Sequence, residues 1–278
     1  MSIDIQSIQS LSFDEQLLRY AELLQEPNPS TELISASAVA FSLGKGDLEK
    51  RLKLGVALGE AGDPRLKSPS DIAYWTDVDM GEFNLSVGRN LVTTREWMAF
   101  FESASYHNED YWTSEGLKWK NADRPKWSDL ANSPKSADFA IPNQPVVGVS
   151  WFEANAYALA NGGRLLRFSE RVQIMRGFDK RVYPWGEPFG QGNANTIEEC
   201  LNRPSPVGMF LNDCTPEGVY DMAGNVSEWT ANEDAGQRVI HPGAWNMSSM
   251  ASWPKASRLI SAAARLDNLG FRIAKDGA

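Results

Sequence analysis

The first quarter of the chain carries apolar residues at helical spacing. The pattern predicts three helices, at residues 12–26, 31–43 and 47–61. Apolar side chains from Leu17 to Leu24 fall on one face of the first helix, and Ser12 with Glu15 forms a capping box before it. We therefore expect residues 1–73 to form a short helical N-terminal extension.

Beyond residue 73 the predicted elements become short and mixed. They are a strand over residues 76–85, a helix after the Thr93 and Glu96 capping box, a buried strand over 145–149 and a helix over 151–161. A polar and aromatic loop, residues 106–144, separates the two helices, and its length is typical of a functional segment or an insertion. Residues 74–278 are therefore expected to form one loop-rich α+β domain.

The charge balance narrows the choice of partner. The chain has 36 acidic and 27 basic side chains and a formal charge of -9. This sign is wrong for binding a phosphate backbone, so a nucleic-acid partner is not expected. No apolar run reaches the roughly 18 residues of a membrane-spanning helix, and the N-terminus lacks a secretory signal pattern. With two cysteines, the chain suits a reducing compartment, and we expect a cytoplasmic protein without a membrane partner.

Seven short stretches occur in a characteristic order. They are PVVGVSWFEANAYA at 145–158, GGRL at 162–165, YPWG at 183–186, SPVG at 205–208, GVYDMAGNVSEW at 218–229, PGAW at 242–245 and LGFRIA at 269–274. Together they resemble the formylglycine-generating enzyme family, also called the sulfatase-modifying-factor domain. The resemblance covers roughly residues 79–275 and implies a variant of the C-type lectin fold. The helical lead-in resembles one found in multidomain bacterial proteins.

Residues 221–228 combine carboxylates and backbone carbonyls at a tight turn, which is the ligand mixture that calcium prefers. The resemblance implies a structural calcium ion with these ligands: the carboxylates of Asp221 and Glu228 and the carbonyls of Gly224 and Val226. It places a second site, in a loop that is shortened here, near Asn195, Thr196, Glu199 and Leu201. The alternative is that the polar side chains of the first segment only hydrogen-bond the turn.

The catalytic cysteines of the family have no counterparts in this chain. The resemblance implies copper(I) chemistry, which needs a pair of thiolates, whereas the two matching positions carry Met250 and Lys255. Cys200 and Cys214 lie in other segments, where we interpret each as a small buried thiol. We therefore expect no copper and name no catalytic residue.

Iron is not expected either. The iron-dependent relatives, which are sulfoxide synthases, take their metal from a histidine-rich helical domain, and this chain has only His107 and His241. A further relative, the oxidase-like protein of siderophore chromophore maturation, also lacks the cysteine pair. An oxidoreductase with an unidentified metal site therefore stays open as an alternative.

One helix departs from the family pattern. After GGRL the family continues with a Pro-Thr-Glu-Ala-Glu-Trp-Glu-like stretch, whereas residues 166–172 read Leu-Arg-Phe-Ser-Glu-Arg-Val. Ile174 and Met175 still offer apolar packing, so the departure indicates a divergent branch with the fold retained. Nearer the C-terminus, Arg258, Arg265 and Arg272 are expected to hold loops together, because a guanidinium can bind several carbonyls at once.

The segment between PGAW and LGFR, residues 246–268, lines the substrate-binding face of the family's fold. Here it surrounds Trp253 with small residues, which suits recognition of a protein or peptide. The candidate ligand contacts are Trp253, Asn246, Ser248, Lys255, Arg258, Asn268 and, in the aromatic loop, Trp112. The C-terminal end of this chain also resembles those of the variable proteins of diversity-generating retroelements, which use the same architecture. The alternative is that Trp253 is a core residue.

These observations favour a non-catalytic scaffold, stabilised by calcium, that binds a protein or peptide. The helical extension would dock to a partner or pack on the domain. Membership of a larger assembly, as a structural subunit, is the third hypothesis.

Overall fold

The computed structural model describes residues 5–122, 127 and 137–277. Its helices are α1 Ile5–Gln9, α2 Phe13–Leu24, α3 Thr31–Ser42, α4 Leu48–Ala61, α5 Thr94–Phe101, α6 Ala104–His107, α7 Ser114–Lys120, α8 Trp151–Ala160 and α9 Phe168–Arg176. Its strands are β1 Trp75–Asp79, β2 Asn84–Gly88, β3 Arg164–Leu165, β4 Ser227–Asp234, β5 Gln237–His241, β6 Arg258–Ile260, β7 Leu269–Gly270 and β8 Ile273–Asp276. Among the described residues, none of the helices is long and apolar enough to cross a lipid bilayer.

The predicted capping signals sit where the helices begin. Ser12 and Glu15 form the capping box of α2, and Ser150 with Glu153 forms that of α8. The side chain of Asp47 accepts a hydrogen bond from the Lys50 amide at the start of α4. Local sequence therefore determines these helix starts, as expected.

Helices α1 to α4 form their own apolar cluster, and a distant segment completes it. Leu17, Leu33 and Leu54 are fully buried within the cluster. Met209 and Phe210, from the C-terminal half of the chain, are buried in the same cluster. The helical extension therefore packs on the rest of the protein, one of the two arrangements anticipated, while the boundary at residue 73 stays a prediction.

The strand predicted over residues 76–85 is instead a hairpin of β1 and β2. The two strands pair antiparallel, with Trp75 opposite Gly88 and Asp79 opposite Asn84. Gly81 turns the chain at a positive φ of 91°, and its amide donates to Asp79 Oδ1 at 2.7 Å. The single-strand prediction was wrong because this glycine permits a backbone conformation that side-chain alternation does not reveal.

The strand predicted over residues 145–149 is also wrong. Most of its residues are buried, but the segment forms only an isolated bridge, from Pro145 to Thr93. Gly148 takes a positive φ of 72° and donates to the Leu266 carbonyl. That conformation interrupts any regular ladder, since strand residues require a negative φ.

Two four-stranded sheets form the remainder of the described fold. The first has the order β1-β2-β8-β3, with every pair antiparallel. The second has the order β6-β5-β4-β7, in which only β4 and β7 run parallel. The central core residue is Trp97, which is fully buried. Six aromatic rings lie with their centroids 5.5 to 6.4 Å from its own: Phe100, Phe101, Tyr106, Trp127, Tyr157 and Phe271.

The aromatic loop predicted over residues 106–144 is not a loop throughout, because Thr113 caps the helix α7 within it, and its aromatic residues contribute to this core. Within its described part, Trp112, Trp119 and Trp127 expose 7% of their surface or less. Trp112 donates its indole N–H to the Tyr106 carbonyl at 3.0 Å. Trp112, predicted to contact a ligand, is thus a core residue, because the cluster around Trp97 offers it more apolar contact than a surface position would.

Candidate functional site

The segment predicted to hold calcium, residues 221–228, is fixed by two buried arginines. Glu228 exposes only 1% of its surface. Its Oε1 accepts hydrogen bonds from Arg171 Nε at 3.0 Å and Nη2 at 2.8 Å. Its Oε2 accepts from Arg272 Nε at 3.3 Å. Both carboxylate oxygens of Glu228 therefore already have cationic partners within the chain.

The same guanidiniums bind backbone carbonyls on either side of Asp221. Arg171 donates to the Met222 carbonyl at 2.6 Å, and Arg272 donates to the Tyr220 carbonyl at 2.6 Å. Asp221 has a positive φ of 56°, and its Oδ2 accepts from the Gly208 amide at 2.9 Å. Burial raises the pKa of Asp221 to about 6. The turn is thus held by two side chains and one backbone amide, which come from three distant parts of the sequence.

A second buried carboxylate supports the turn from its other side. Asp213 accepts hydrogen bonds from the amides of Ala223 at 2.7 Å and Gly224 at 3.0 Å. Burial, and after it the neighbouring Asp221 carboxylate, raise the pKa of Asp213 to about 8. The alternative interpretation gave this role to the polar side chains of the segment itself, whereas Asp221 and Asn225 bond to Gly208 and Ser205 and the turn amides bond to Asp213.

The two predicted calcium segments lie against each other. The Asn225 amide donates to the Asn195 carbonyl at 2.8 Å, and Asn225 Oδ1 accepts from the Ser205 amide at 2.9 Å. A Cβ at Gly224 would lie 2.6 Å from the Asn195 carbonyl oxygen. Only glycine therefore allows this close backbone approach.

The loop at residues 195–201 retains donors that fit a calcium ion. Asn195 is buried, and its Oδ1 has no hydrogen-bond partner. Glu199 exposes 8% of its surface and accepts from the Gly192 amide. Among the described residues no lysine or arginine forms an ion pair with Glu199. A buried carboxylate and a buried, unpartnered amide oxygen in one irregular loop match the oxygen ligands of calcium.

The donors at Glu228 do not fit calcium in the same way. A calcium ion there would lie beside two buried guanidiniums that already form ion pairs with the Glu228 carboxylate. Like charges in a buried, low-dielectric site repel strongly. The two calcium predictions thus differ in the donors that the folded chain leaves available, and calcium binding itself stays a prediction at both places.

The predicted recognition segment, residues 246–268, presents apolar side chains to solvent. Trp253 exposes 57% of its surface and Met250 exposes 78%. The backbone beneath them is fixed, because the Trp253 carbonyl lies 3.0 Å from Nε2 of the fully buried His241. The Ser249 amide donates to Glu198 Oε1 at 2.9 Å. Trp253 is therefore not a core residue, and that alternative is wrong.

The other candidate contacts divide into two groups. Ser248, Lys255 and Arg258 are exposed. Asn246 and Asn268 are half-buried and joined to each other, with Asn268 Nδ2 donating to Asn246 Oδ1 at 2.8 Å. This bond ties the two ends of the segment together. A hollow of about 100 Å³ lies beside it and is lined by Met247, Leu259, Leu266 and the stem of Arg258, among others.

The arginines predicted to hold loops together behave differently from one another. Arg272 binds Glu228 and carbonyls of three residues, and Arg265 donates to the buried Glu153 from Nε at 3.1 Å. These two predictions are confirmed, whereas Arg258 is exposed on β6. The role of Arg171 was not predicted from the sequence. The one feature that could have indicated it is that Arg171 lies in the stretch that departs from the family helix.

The cysteines are free and lie outside the positions that would matter for copper. Cys200 is exposed and Cys214 is half-buried, so the prediction that each is a buried thiol was wrong, because both lie in irregular segments at the surface. Burial raises the pKa of the Cys214 thiol to about 11, which keeps it protonated near neutral pH. Within residues 5–122, 127 and 137–277, there is no cluster of three or more His, Cys, Asp or Glu side chains that could hold a metal ion.

The fold defines the class of protein. It is the α+β, C-type lectin fold of formylglycine-generating enzymes. PvdO from Pseudomonas aeruginosa superposes with a TM-score of 0.53 at 24% identity, over 70% of this chain and 81% of PvdO. CarF superposes with a TM-score of 0.52 at 17% identity, over 70% of this chain and 87% of CarF. The predicted fold class is thereby confirmed.

The sequence then places the chain in a family. Residues 58–277 match the sulfatase-modifying factor enzyme 1-like domain, and the chain belongs to that family. Inactive C-alpha-formylglycine-generating enzyme 2 of Bos taurus is 33% identical over 180 residues, which are 57% of this chain and 58% of that protein. Hercynine oxygenase of Mycolicibacterium thermoresistibile is 29% identical over 173 residues, which are 56% of this chain and 36% of that protein. The chain therefore spans less than two thirds of either relative, and the relatives include both inactive proteins and enzymes.

Proposed function

We propose that the protein is a non-catalytic scaffold that binds a protein or peptide through residues 246–268. The observation that carries this proposal is the exposure of Trp253, at 57%, on a backbone that is held from beneath by the buried His241. A large aromatic side chain on a fixed backbone loses little conformational entropy on binding. Exposed tryptophans of this kind contribute more to binding energy than other residue types.

The neighbouring surface supports the same proposal. Ile197 exposes 51% of its surface, and its amide donates to the Met247 carbonyl, which places it beside the segment. Leu266 exposes 41% and lines the hollow next to Met247. An aromatic anchor with an adjacent apolar hollow is the arrangement by which interfaces seat one side chain of the partner.

The residues at the family's copper positions favour binding over catalysis. Met250, which exposes 78% of its surface, carries a thioether, and Lys255 carries an ammonium group. Neither is the thiolate pair that copper(I) chemistry needs. The inactive relative of Bos taurus is compatible with a non-catalytic role in this family.

Replacing Trp253 by alanine is expected to weaken binding at least about 30-fold, which corresponds to about 2 kcal/mol for a central aromatic anchor. Peptides would be selected from a phage-displayed library on the wild-type protein, and their dissociation constants would be measured by fluorescence polarisation. Phe178→Ala, which removes another exposed aromatic ring (63% exposed), is the matched control and should bind as wild type does. Equal affinities for wild type and Trp253→Ala, or no selected peptide, would contradict the proposal.

The oxidoreductase alternative is favoured by the similarity to hercynine oxygenase. Plasma mass spectrometry on protein purified without a metal-affinity column separates the two proposals. Copper or iron at about one atom per chain would replace the scaffold proposal with an enzyme. The absence of both metals from the purified protein, together with specific peptide binding, would support the scaffold proposal.

We further propose that one calcium ion stabilises the loop at residues 195–201. Asn195 Oδ1 and the carboxylate of Glu199 would bind it, together with the carbonyls of Thr196 and Leu201. The supporting observations are the buried, unpartnered Asn195 oxygen and the buried Glu199 carboxylate, which has no cationic partner among the described residues. A divalent cation would neutralise the carboxylate and satisfy the amide oxygen at once.

Calcium is expected to raise the melting temperature of the wild-type protein and leave that of Asn195→Ala unchanged. At a free calcium concentration of about 100 times the dissociation constant, the stabilisation is about 2.7 kcal/mol, or a rise of about 5–10 °C for a chain of this size. Differential scanning fluorimetry in EGTA and in calcium measures it. Asn212→Ala, which alters an exposed asparagine outside the loop, should keep the wild-type response. A wild-type melting temperature that calcium does not change would refute this proposal.

A further inference from the structure

Arg171 and Arg272 together bind a set of oxygen atoms that resembles the ligand sphere of a metal ion. The set comprises both carboxylate oxygens of Glu228 and the carbonyls of Met222, Tyr220, Gly88 and Arg89. Both guanidiniums are at least 99% buried. A mixture of carboxylate and carbonyl oxygens around a buried positive charge is what a calcium ion requires.

Both carboxylate oxygens of Glu228 already accept hydrogen bonds from the two guanidiniums. Arg171 reaches Oε1 through two nitrogens, Arg272 reaches Oε2, and neither oxygen faces solvent. A calcium ion could bind Glu228 only after displacing a buried guanidinium, which would then be left without its ion pair. Removing the partner of a buried charge is strongly destabilising. The chain therefore stabilises this turn with its own cations.

We propose that Arg171 supplies, as part of the chain, the positive charge that the family resemblance assigns to a calcium ion at residues 221–228, so that this turn folds without metal. Arg171 stands at the sixth position of the stretch 166–172, where the family pattern has an uncharged tryptophan. The cation therefore lies in the one helix that departs from the family. The inference concerns a different ligand set from the calcium proposed at Asn195 and Glu199 and does not depend on it.

Calcium stoichiometry tests the inference on the folded protein. Asn195→Ala would be dialysed against 1 mM calcium, passed through a desalting column and analysed by plasma mass spectrometry. We expect no bound calcium in this variant, whereas wild type should retain one ion if the loop proposal holds. One ion per chain that persists in Asn195→Ala and is lost in Glu228→Gln would overturn the inference. Should Glu228→Gln fail to fold, Asp221→Ala, which removes the side-chain oxygens, reports on the same ion. A wild type without calcium would refute only the loop proposal.

Removal of the charge tests the role of Arg171 directly. Arg171→Met keeps an unbranched apolar side chain in α9 and is expected to lower the melting temperature in EGTA by on the order of 10 °C. Arg167→Met, at the N-cap of the same helix, removes an exposed guanidinium that pairs with Glu170 and should change the melting temperature by about 2 °C or less. Equal melting temperatures for the two variants would overturn the inference.

Should Arg171→Met fail to fold, Arg171→Lys, which keeps the charge, should fold with a reduced melting temperature. A calcium-dependent wild-type stability that survives in Asn195→Ala would also overturn it.

Discussion

Replacing Glu228 by alanine is expected to lower the free energy of unfolding by about 3–5 kcal/mol. The substitution leaves Arg171 and Arg272 buried without the carboxylate that they share, and an uncompensated buried charge is among the most destabilising changes in a protein. The carbonyls that the guanidiniums also bind would offset only part of the loss, because a neutral acceptor binds a cation more weakly than a carboxylate does. Urea denaturation followed by tryptophan fluorescence measures the change.

The matched control is Glu233→Ala, on the same strand. Glu233 pairs with Arg238 at 2.9 Å, but its side chain is 51% exposed, so water screens the pair and the loss should be below about 1 kcal/mol. A similar loss for both variants would show that the buried ion pairs do not carry the expected energy.

Replacing Phe210 by alanine is expected to cost about 3–5 kcal/mol, because the ring is 1% exposed and fills the apolar cluster of the helical extension. The cavity would lie between α1 to α4 and the segment 209–210, so the helices should also become more accessible to protease. Limited proteolysis, with fragments identified by mass spectrometry, measures that accessibility alongside urea denaturation.

Leu211→Ala is the control for this prediction, since the neighbouring side chain is 40% exposed. Its loss of stability should be about 0.5 kcal/mol or less. Unchanged stability and unchanged proteolysis in Phe210→Ala would mean that the helical extension does not depend on its contact with the C-terminal half.

Helix starts could be predicted from the sequence because capping is local. Ser12, Asp47 and Ser150 each act on a backbone amide within three residues. The hairpin of β1 and β2 and the irregular segment at 145–149 were missed because both depend on a glycine at positive φ. A glycine in a sequence shows that such a conformation is permitted but not that it is used.

The site could be predicted only in part. The motif around Gly224 located the buried turn correctly, but its cationic partner Arg171 lies 57 residues away from Glu228, and no local pattern connects the two. Burial was equally hidden, since Trp112 and Trp253 both lie in polar stretches of sequence. Tertiary packing places the first in the core at 6% exposure and leaves the second at 57%.

The segment at residues 207–210 belongs to two structural units at once. The Gly208 amide binds Asp221 in the buried turn, while Met209 and Phe210 complete the cluster of the N-terminal helices. The family match begins at Leu58, inside α4. The lectin-like part of this chain therefore cannot be separated cleanly from the helices. Excision at Leu58 would cut α4 in two and would expose Phe210 to solvent.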